Sequence, residues 1–393
     1  MRERHLMGIM LKAMIVLMWA CAPSIAQEPV KIGFMYVFSG RVAHYGHGAR
    51  QGAEIALEEI NAKGGILGRQ IAAVYEDTEL KPEVGVKAAK KLVDQKVDVV
   101  MGIVSSGVAQ AVAPVMNELR VPLIVTLAMT PDITGSMCNP YTFRVSLNGP
   151  QNLKGASILA AELNRRKWTT LAPDYVFGYQ CWEYFQKYLK EKQPGAIFAG
   201  NAETVYAPMT EPDLRPYIRK TMESHADGIL VSLYGGNLID FIRQGNEMRI
   251  FDGRVKFLLN LAYSADVMYG LGLDIPKGLW LSGLYWFQAN DSPENQRFVE
   301  TYKHRYKVFP DYNAHGAYAG VKVYAAAVEK AGSTNKEKVV KALEGLTVKV
   351  PAGSITIRAE DHQAIVDGVW GLTSEYDPKL RTRTLDPMKT FPG

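Results

Sequence analysis

The run Gly102-Ile103-Val104-Ser105-Ser106-Gly107 sets two hydroxyls between an apolar stretch and a helical pattern. That places them at the carboxyl end of a predicted strand, the edge where open α/β sheets bind ligands. The helix N-terminus behind them adds unpaired N–H groups and partial positive charge, so the segment suits a carboxylate or another anion. Either serine serves equally as an ordinary helix cap. Taken alone the cap is the simpler reading, and position at the sheet edge is what favours a ligand. The next apolar run ends at Ala128-Met129-Thr130-Pro131-Asp132. Small residues there open backbone N–H groups to close approach, and Thr130 adds a hydroxyl. A capped turn with Pro131 early in a helix explains the same residues.

Aromatic residues gather at equivalent edges. Tyr45 follows the first predicted strand, Tyr175 and Phe177 the fifth, and Tyr234 ends Ser232-Leu233-Tyr234. Tyr263 follows Leu258-Leu259-Asn260, and Tyr285 and Trp286 end the run from Leu279. Any one of them fits a core position. Their shared place after strands fits an aromatic pocket with a few placed polar groups. Catalytic patterns are missing. No serine lies in Gly-x-Ser-x-Gly, no loop ends in Gly-Lys-Ser/Thr, and Gly46-His47-Gly48 with Gly52 lacks dinucleotide spacing. His44 and His47 share a spacing of three but have no further metal ligands in the pattern, so neither a metal nor a cofactor is expected. Glu58-Glu59 and Glu76-Asp77 read as solvated faces or caps, with Asp77 near a strand end.

These groups need elements to hold them. At 393 residues, with 47% hydrophobic and 22% charged, the chain is an ordinary globular one rather than disordered or polytopic. The net charge of +5 is spread along the sequence with no basic stripe, which argues against a nucleic-acid partner. Arg2, Arg4 and Lys12 precede the ten apolar residues Ala13 to Ala22, then Pro23 and the small-x-small Ser24-Ile25-Ala26. That is a signal peptide (residues 1–26) cleaved after Ala26, too short in its apolar run to span a bilayer. Cys21 as a lipidated residue is disfavoured by Trp19. Cys138 and Cys181 would remain in an exported protein, where an even pair invites a disulfide. A bridge and two free thiols both stay open, since reach cannot be read from sequence.

Predicted strands alternate with helices. The strands are Val30–Tyr36, Gln70–Glu76, Val97–Ile103, Pro122–Leu127, Thr169–Tyr175, Ala196–Ala199, Gly228–Tyr234, Lys256–Leu261 and Leu279–Tyr285. Between them lie helical patterns such as Ala49–Asn61, Val108–Leu119 and Cys181–Lys190. VDVVMGI and DGILVSLYG are apolar on both faces, as a buried parallel sheet requires. The rhythm predicts an α/β fold, and nine strands suit two doubly wound lobes better than one open sheet. After Glu294 come helices Asn295–Tyr306, Ala314–Lys330 and Lys336–Leu343, then an extended tail.

The stretch FSGRVAHYGHGARQGAEIALEEINAKGGILGRQI resembles the opening of the periplasmic branched-chain amino-acid-binding family, the substrate-binding proteins of ABC transporters with the type I periplasmic-binding fold. The similarity continues through Gly102 to Gln110, Tyr141-Thr142-Phe143-Arg144, Asp174 to Gly178 and Pro310 to Tyr318, and so covers nearly all the mature chain. The resemblance implies two parallel-sheet lobes joined by three crossovers, near Arg144–Pro150, Gly278–Trp286 and Leu346–Pro351. Lobe 1 would be 27–145 with 285–346, and lobe 2 would be 146–284 with 347–393. It further implies a periplasmic monomer that closes on its ligand and delivers it to an ABC permease in the inner membrane. In this family the first lobe grips the ligand carboxylate at positions matching Ser105, Ser106, Ala128 and Met129, with Tyr45 nearby. The second lobe supplies positions matching Phe177 and Tyr234, and an acid at the end of the Lys256–Leu261 strand.

That acid is missing. The segment reads Leu259-Asn260-Leu261-Ala262-Tyr263-Ser264, with no carboxylate before Asp266. Burying an ammonium without a partner costs several kcal/mol. The carboxylate grip is kept and the ammonium grip is lost, so the expected ligand is an aromatic or otherwise apolar acid, as in members of the family that bind benzoate-like or cinnamate-like acids. The expected ligand residues are Tyr45, Ser105, Ser106, Ala128, Met129, Thr130, Phe177, Tyr234, Tyr263 and Tyr285. A branched-chain amino-acid or amide binder using a displaced acid remains open, as does a periplasmic ligand sensor. An enzyme is disfavoured.

Overall fold

The computed structural model describes residues 27–393; the segment expected to be a signal peptide, the expected cleavage after Ala26 and Cys21 lie outside the described residues. The first sheet is built from β1 (Val30–Tyr36), β2 (Ile71–Asp77), β3 (Val99–Gly102), β4 (Leu123–Val125) and β5 (Thr142–Arg144). Its order is β2-β1-β3-β4-β5 and every pairing is parallel. Such pairs need crossover connections, here α1 (Ala43–Asn61), α2 (Pro82–Asp94) and α3 (Ser106–Glu118). All four residues of β3 are buried, which matches its lack of polar–apolar alternation.

The chain then enters the second sheet through α4 (Gly149–Glu162), whose N-terminus carries a reciprocal capping box between Asn148 and Gln151. Along the chain follow β6 (Lys167–Pro173), α5 (Val176–Lys192), β7 (Ile197–Phe198), β8 (Val205–Ala207), α6 (Arg215–Glu223), β9 (Gly228–Val231), α7 (Gly235–Glu247), β10 (Lys256–Leu259), α8 (Ala265–Leu271) and β11 (Trp280–Gly283). These strands pair in parallel, with β10 between β9 and β11. Helices α9 (Pro293–Tyr306), α10 (Tyr312–Ala331) and α11 (Lys336–Leu343) return to the first sheet, where α10 packs along α1.

The tail departs from its expected place. Strands β12 (Thr347–Val350), β13 (Gly353–Ile357) and β14 (Ala364–Ile365) form their own antiparallel sheet. It packs on α9 and α10 and is bridged to β5 between Arg144 and Gln363. The segment 347–365 therefore belongs beside the first sheet rather than in the second lobe, and the third passage between sheets falls after Ile365. The reason is register: Val350, Ile355 and Ile357 turn a buried face toward those helices. Only β15 (Gly368–Asp377) and β16 (Thr382–Phe391) join the second sheet, as a hairpin that adds antiparallel to β11.

The two cysteines are not bonded. Cys138 is exposed beside the first sheet, and Cys181 is buried on α5. Cys181 accepts a hydrogen bond from the Asn260 amide at 3.3 Å, and burial pushes its thiol up to about 12. It is a packed, protonated core thiol, and of the two states left open by sequence the structure holds free thiols.

Candidate functional site

The carboxyl ends of both sheets face one another across a cleft. Gly102 ends β3 at φ +127°, and an added Cβ would sit 2.2 Å from the Met35 carbonyl oxygen. Only glycine takes that backbone cheaply, and the bend it allows leads the chain into Ser105 and Ser106. On the far side Gly235 (φ +56°) opens α7 and lets Val42 of the first lobe approach its backbone.

A narrow cavity lies between the lobes, with about 20 Å³ free to a water-sized sphere. From the first lobe it is lined by Tyr45, Val104, Ser106, Leu127, Met129 and Tyr312; from the second by Tyr175, Phe177, Tyr234 and Leu261; Leu284 stands at the crossover. The Ser106 hydroxyl accepts the Thr130 N–H at 3.2 Å, which fixes its oxygen against the next strand end. Tyr45 and Tyr312 share a hydroxyl hydrogen bond of 2.8 Å, and Tyr175 and Tyr234 share one of 2.9 Å. Phe177 meets the Tyr234 ring edge-on at 5.8 Å. Burial raises the phenol of Tyr234 to about 12 and those of Tyr45, Tyr175 and Tyr312 further, with Tyr45 and Tyr312 also feeling each other or Asp266. All four therefore stay protonated at neutral pH, and since each pair spends one proton on its own bond, each pair has at most one left to donate to an anion. No lining side chain carries a charge at neutral pH.

Five expected residues thus line this cavity: Tyr45, Ser106, Met129, Phe177 and Tyr234. The other five are placed elsewhere. Ser105 is the N-cap of α3, accepting the Val108 N–H at 3.5 Å, and faces the outer part of the cleft. Ala128 is fully buried, its N–H bonded to the Ile103 carbonyl. The Thr130 hydroxyl turns to Asp132 at 3.1 Å. Tyr263 is buried with its hydroxyl on the Val369 carbonyl. Tyr285 gives its hydroxyl to Asn295 at 2.6 Å and stacks on His315. Sequence reasoning noted Tyr175 at a strand end without choosing it. It missed Tyr312, which comes from a helix and obeys no strand-end rule.

The position where an acid was sought holds a neutral network. Asn260 is wholly buried and bonded to Asn152 and Cys181. Asp266 instead lies 2.7 Å from His44 Nε2 of the opposite lobe, without hydrogen-bond geometry, and Glu76 meets Lys91 at 2.7 Å. Arg41 and Asp240 form an ion pair across the cleft, and Gln180 reaches Asp132 at 2.9 Å. Asp266 therefore lies against the opposite lobe rather than in the cavity lining. Groups of three metal-ligating side chains are absent among the described residues, and His44 and His47 form no such site.

This arrangement of two sheets closing on one cavity agrees with the comparisons. A family model described as periplasmic binding protein matches residues 29–370, and the chain belongs to the periplasmic binding protein family. Membership implies export to the periplasm. The chain is 26% identical over 357 residues to the Leu/Ile/Val-binding protein BraC3 of Rhizobium johnstonii, covering 88% of this chain and 92% of that protein. The amino acid ABC transporter substrate-binding protein from Pseudomonas fluorescens Pf-5 superposes with a TM-score of 0.81 at 26% identity, over 93% of this chain and 96% of that one. A solute-binding protein of an ABC transporter from Rhodopseudomonas palustris, in complex with 3,4-dihydroxybenzoic acid, shares the fold with a TM-score of 0.80 at 23% identity, over 93% and 97%.

Proposed function

We propose that the protein is the substrate-binding component of an ABC importer, and that it closes on a small aromatic or apolar carboxylate and presents it to a membrane permease. The observation that carries this is the cavity lining: protonated phenols, one serine and apolar side chains, with no carboxylate to pair an ammonium. Hydrogen bonds to a charged group contribute about 1.5–3 kcal/mol each, so hydroxyl donors suffice for a carboxylate. An unpaired buried ammonium has no such partner. With about 20 Å³ free to a water-sized sphere the closed cavity has room for about one water, so a ring or branched acid would enter only as the lobes part.

The test is a thermal-shift screen of the mature protein, freed of bound ligand by unfolding and refolding. The panel sets benzoate, hydroxybenzoates and cinnamates against leucine, isoleucine, valine and short amides. A ligand at 100 times its dissociation constant stabilises by about 2.7 kcal/mol, a visible shift. Shifts with the aromatic acids alone are expected. The amino-acid reading draws on the names of the curated relatives and on Asp266, close enough to Tyr45 and Tyr312 to raise both phenols. Shifts with amino acids alone would mean that Asp266 leaves His44 for the ligand.

The two serines separate by position. Ser106→Ala removes a donor from the cavity and the acceptor of the Thr130 N–H, so affinity measured by calorimetry should fall by about 10-fold or more. Ser105→Ala should cost at most about 1 kcal/mol of stability through the lost cap and leave affinity within about 2-fold. Equal losses in both variants would move the carboxylate toward the outer face of the α3 N-terminus.

A further inference from the structure

The cleft holds two spaces rather than one. Beyond the narrow cavity lies a larger hollow that opens to solvent, lined by Ser39, Arg41, Lys81 and Ser105 of the first lobe and by Asp174, Met209 and Thr210 of the second. Tyr175 and Tyr234 line both spaces. Their hydroxyls meet at 2.9 Å, so the two joined rings stand between inner cavity and outer hollow. Both phenols belong to the second lobe, and their bond survives any opening of the cleft as long as that lobe is intact.

The two rings are not equivalent. Tyr234 also packs on Tyr45 and Phe177, at 5.9 and 5.8 Å between ring centres, and is only 4% exposed, so it is a wall of the inner cavity. Tyr175 has only one such neighbour, Phe177 at 6.0 Å, and is partly exposed toward the hollow. Removing its ring would join the spaces while leaving the other inner walls in place. Removing its hydroxyl alone would keep the barrier of the ring.

We infer that Tyr175, held by Tyr234, sets the maximum length of the ligand by separating the inner cavity from the outer hollow. This rests on the reading of the site as a carboxylate pocket. An acid anchored at Ser106 points toward the tyrosine pair, and a long tail must displace it. One methylene misfit in an apolar site is worth about 10-fold or more, and several exceed that.

The experiment compares 4-hydroxybenzoate with 4-(hexyloxy)benzoate by calorimetry on wild type, Tyr175→Ala and Tyr175→Phe, with melting curves confirming that each variant is folded. Wild type should prefer the short acid by about 100-fold or more. Tyr175→Ala should bring the two acids within about 10-fold of each other, chiefly by gaining the long one, and Tyr175→Phe should keep most of the wild-type preference. Leucine and 2-aminodecanoate are run as a parallel short and long pair, so that a failure of the aromatic-acid reading is seen separately from a failure of the partition. If a short ligand of either pair binds wild type and the folded Tyr175→Ala variant with an unchanged preference, the partition is overturned. If Tyr175→Phe relaxes length selection as fully as Tyr175→Ala, the hydroxyl bond and not the ring is the barrier, which also overturns the inference as stated. Binding of neither pair to wild type overturns it together with the pocket reading.

Discussion

Arg144→Met is expected to destabilise the protein by about 2 kcal/mol and to weaken ligand binding, although Arg144 touches neither cavity. Arg144 ends β5, wholly buried. Its guanidinium donates to the Thr130 carbonyl, to the Gln363 side-chain oxygen at 2.9 Å and to the Thr134 hydroxyl at 3.4 Å. Burial lowers its pKa to about 9, against the opposing pull of Asp132 and Asp361. Replacing a buried cation by an apolar side chain of similar volume removes its desolvation penalty and is often neutral. Here the removal also strands the Thr130 carbonyl, at about 1–3 kcal/mol for an unsatisfied group, while the Gln363 oxygen keeps the Thr134 hydroxyl at 3.1 Å. The second effect wins because Thr130 is buried, so water does not replace the lost donor.

The binding loss follows from the same contacts. Thr130 gives its N–H to Ser106 and its carbonyl to Arg144, so one residue joins the buried cation to the cavity hydroxyl. Urea unfolding with a linear extrapolation reads the stability change, and calorimetry reads the affinity. Arg144→Lys should fall between, since an ammonium on a flexible stem cannot reproduce the guanidinium fork. Unchanged stability in Arg144→Met would show that desolvation cancels the three bonds.

Arg144 also shows where sequence reading stopped. Apolar, β-rich runs located β1 at Val30–Tyr36 and the helix at Lys336–Leu343 to the residue, because burial on both faces and amphipathic spacing are local signals. Strands Thr142–Arg144 and Val205–Ala207 were missed. Each has three residues, and one carries a charge whose burial is stabilised by Thr130, Thr134 and Gln363, the last of them far along the chain. The tail was legible as extended but not as a separate sheet on α9 and α10, since that depends on packing partners.

For the site, the strand-end rule found Ser106, Met129, Phe177 and Tyr234. It failed after β10, where Leu261 takes a left-handed φ of +58°. That kink breaks the alternation of an extended strand, so Leu261 faces the cavity and Tyr263 turns to the Val369 carbonyl. The missing acid was legible from sequence; that Asp266 lies against His44 required both lobes in place.

Acid should destabilise the protein through His315, and His315→Gln should remove that sensitivity. His315 lies on α10, 5% exposed, with its ring stacked on Tyr285 at 4.4 Å and 8°. Its Nε2 accepts the Ala352 N–H at 3.2 Å, which requires the neutral imidazole. Burial alone lowers its pKa to about 3 from an ordinary value of 6.5. Between those values the unfolded chain binds the proton and the folded protein does not. Stability is therefore intact above pH 6.5 and falls as pH drops toward 3, by about 1.4 kcal/mol per pH unit in the middle of that window. Asp311, four residues earlier, acts the opposite way: burial raises its carboxyl, so the folded state takes that proton first and gains stability on acidification. The total pH curve mixes the two, and the difference between variant and wild type isolates His315. Glutamine can still accept the Ala352 N–H but carries no titrating ring. Urea unfolding at pH 7.5, 5.5 and 4.5 should show the wild-type advantage shrinking by about 2 kcal/mol or more across that range. Parallel curves would mean that the folded protein accommodates the imidazolium. His315 joins α10, the crossover at Tyr285 and the turn before β13, all on the first-lobe side of the passages between sheets, so the protonated ring would loosen the hinge before it unfolds the core.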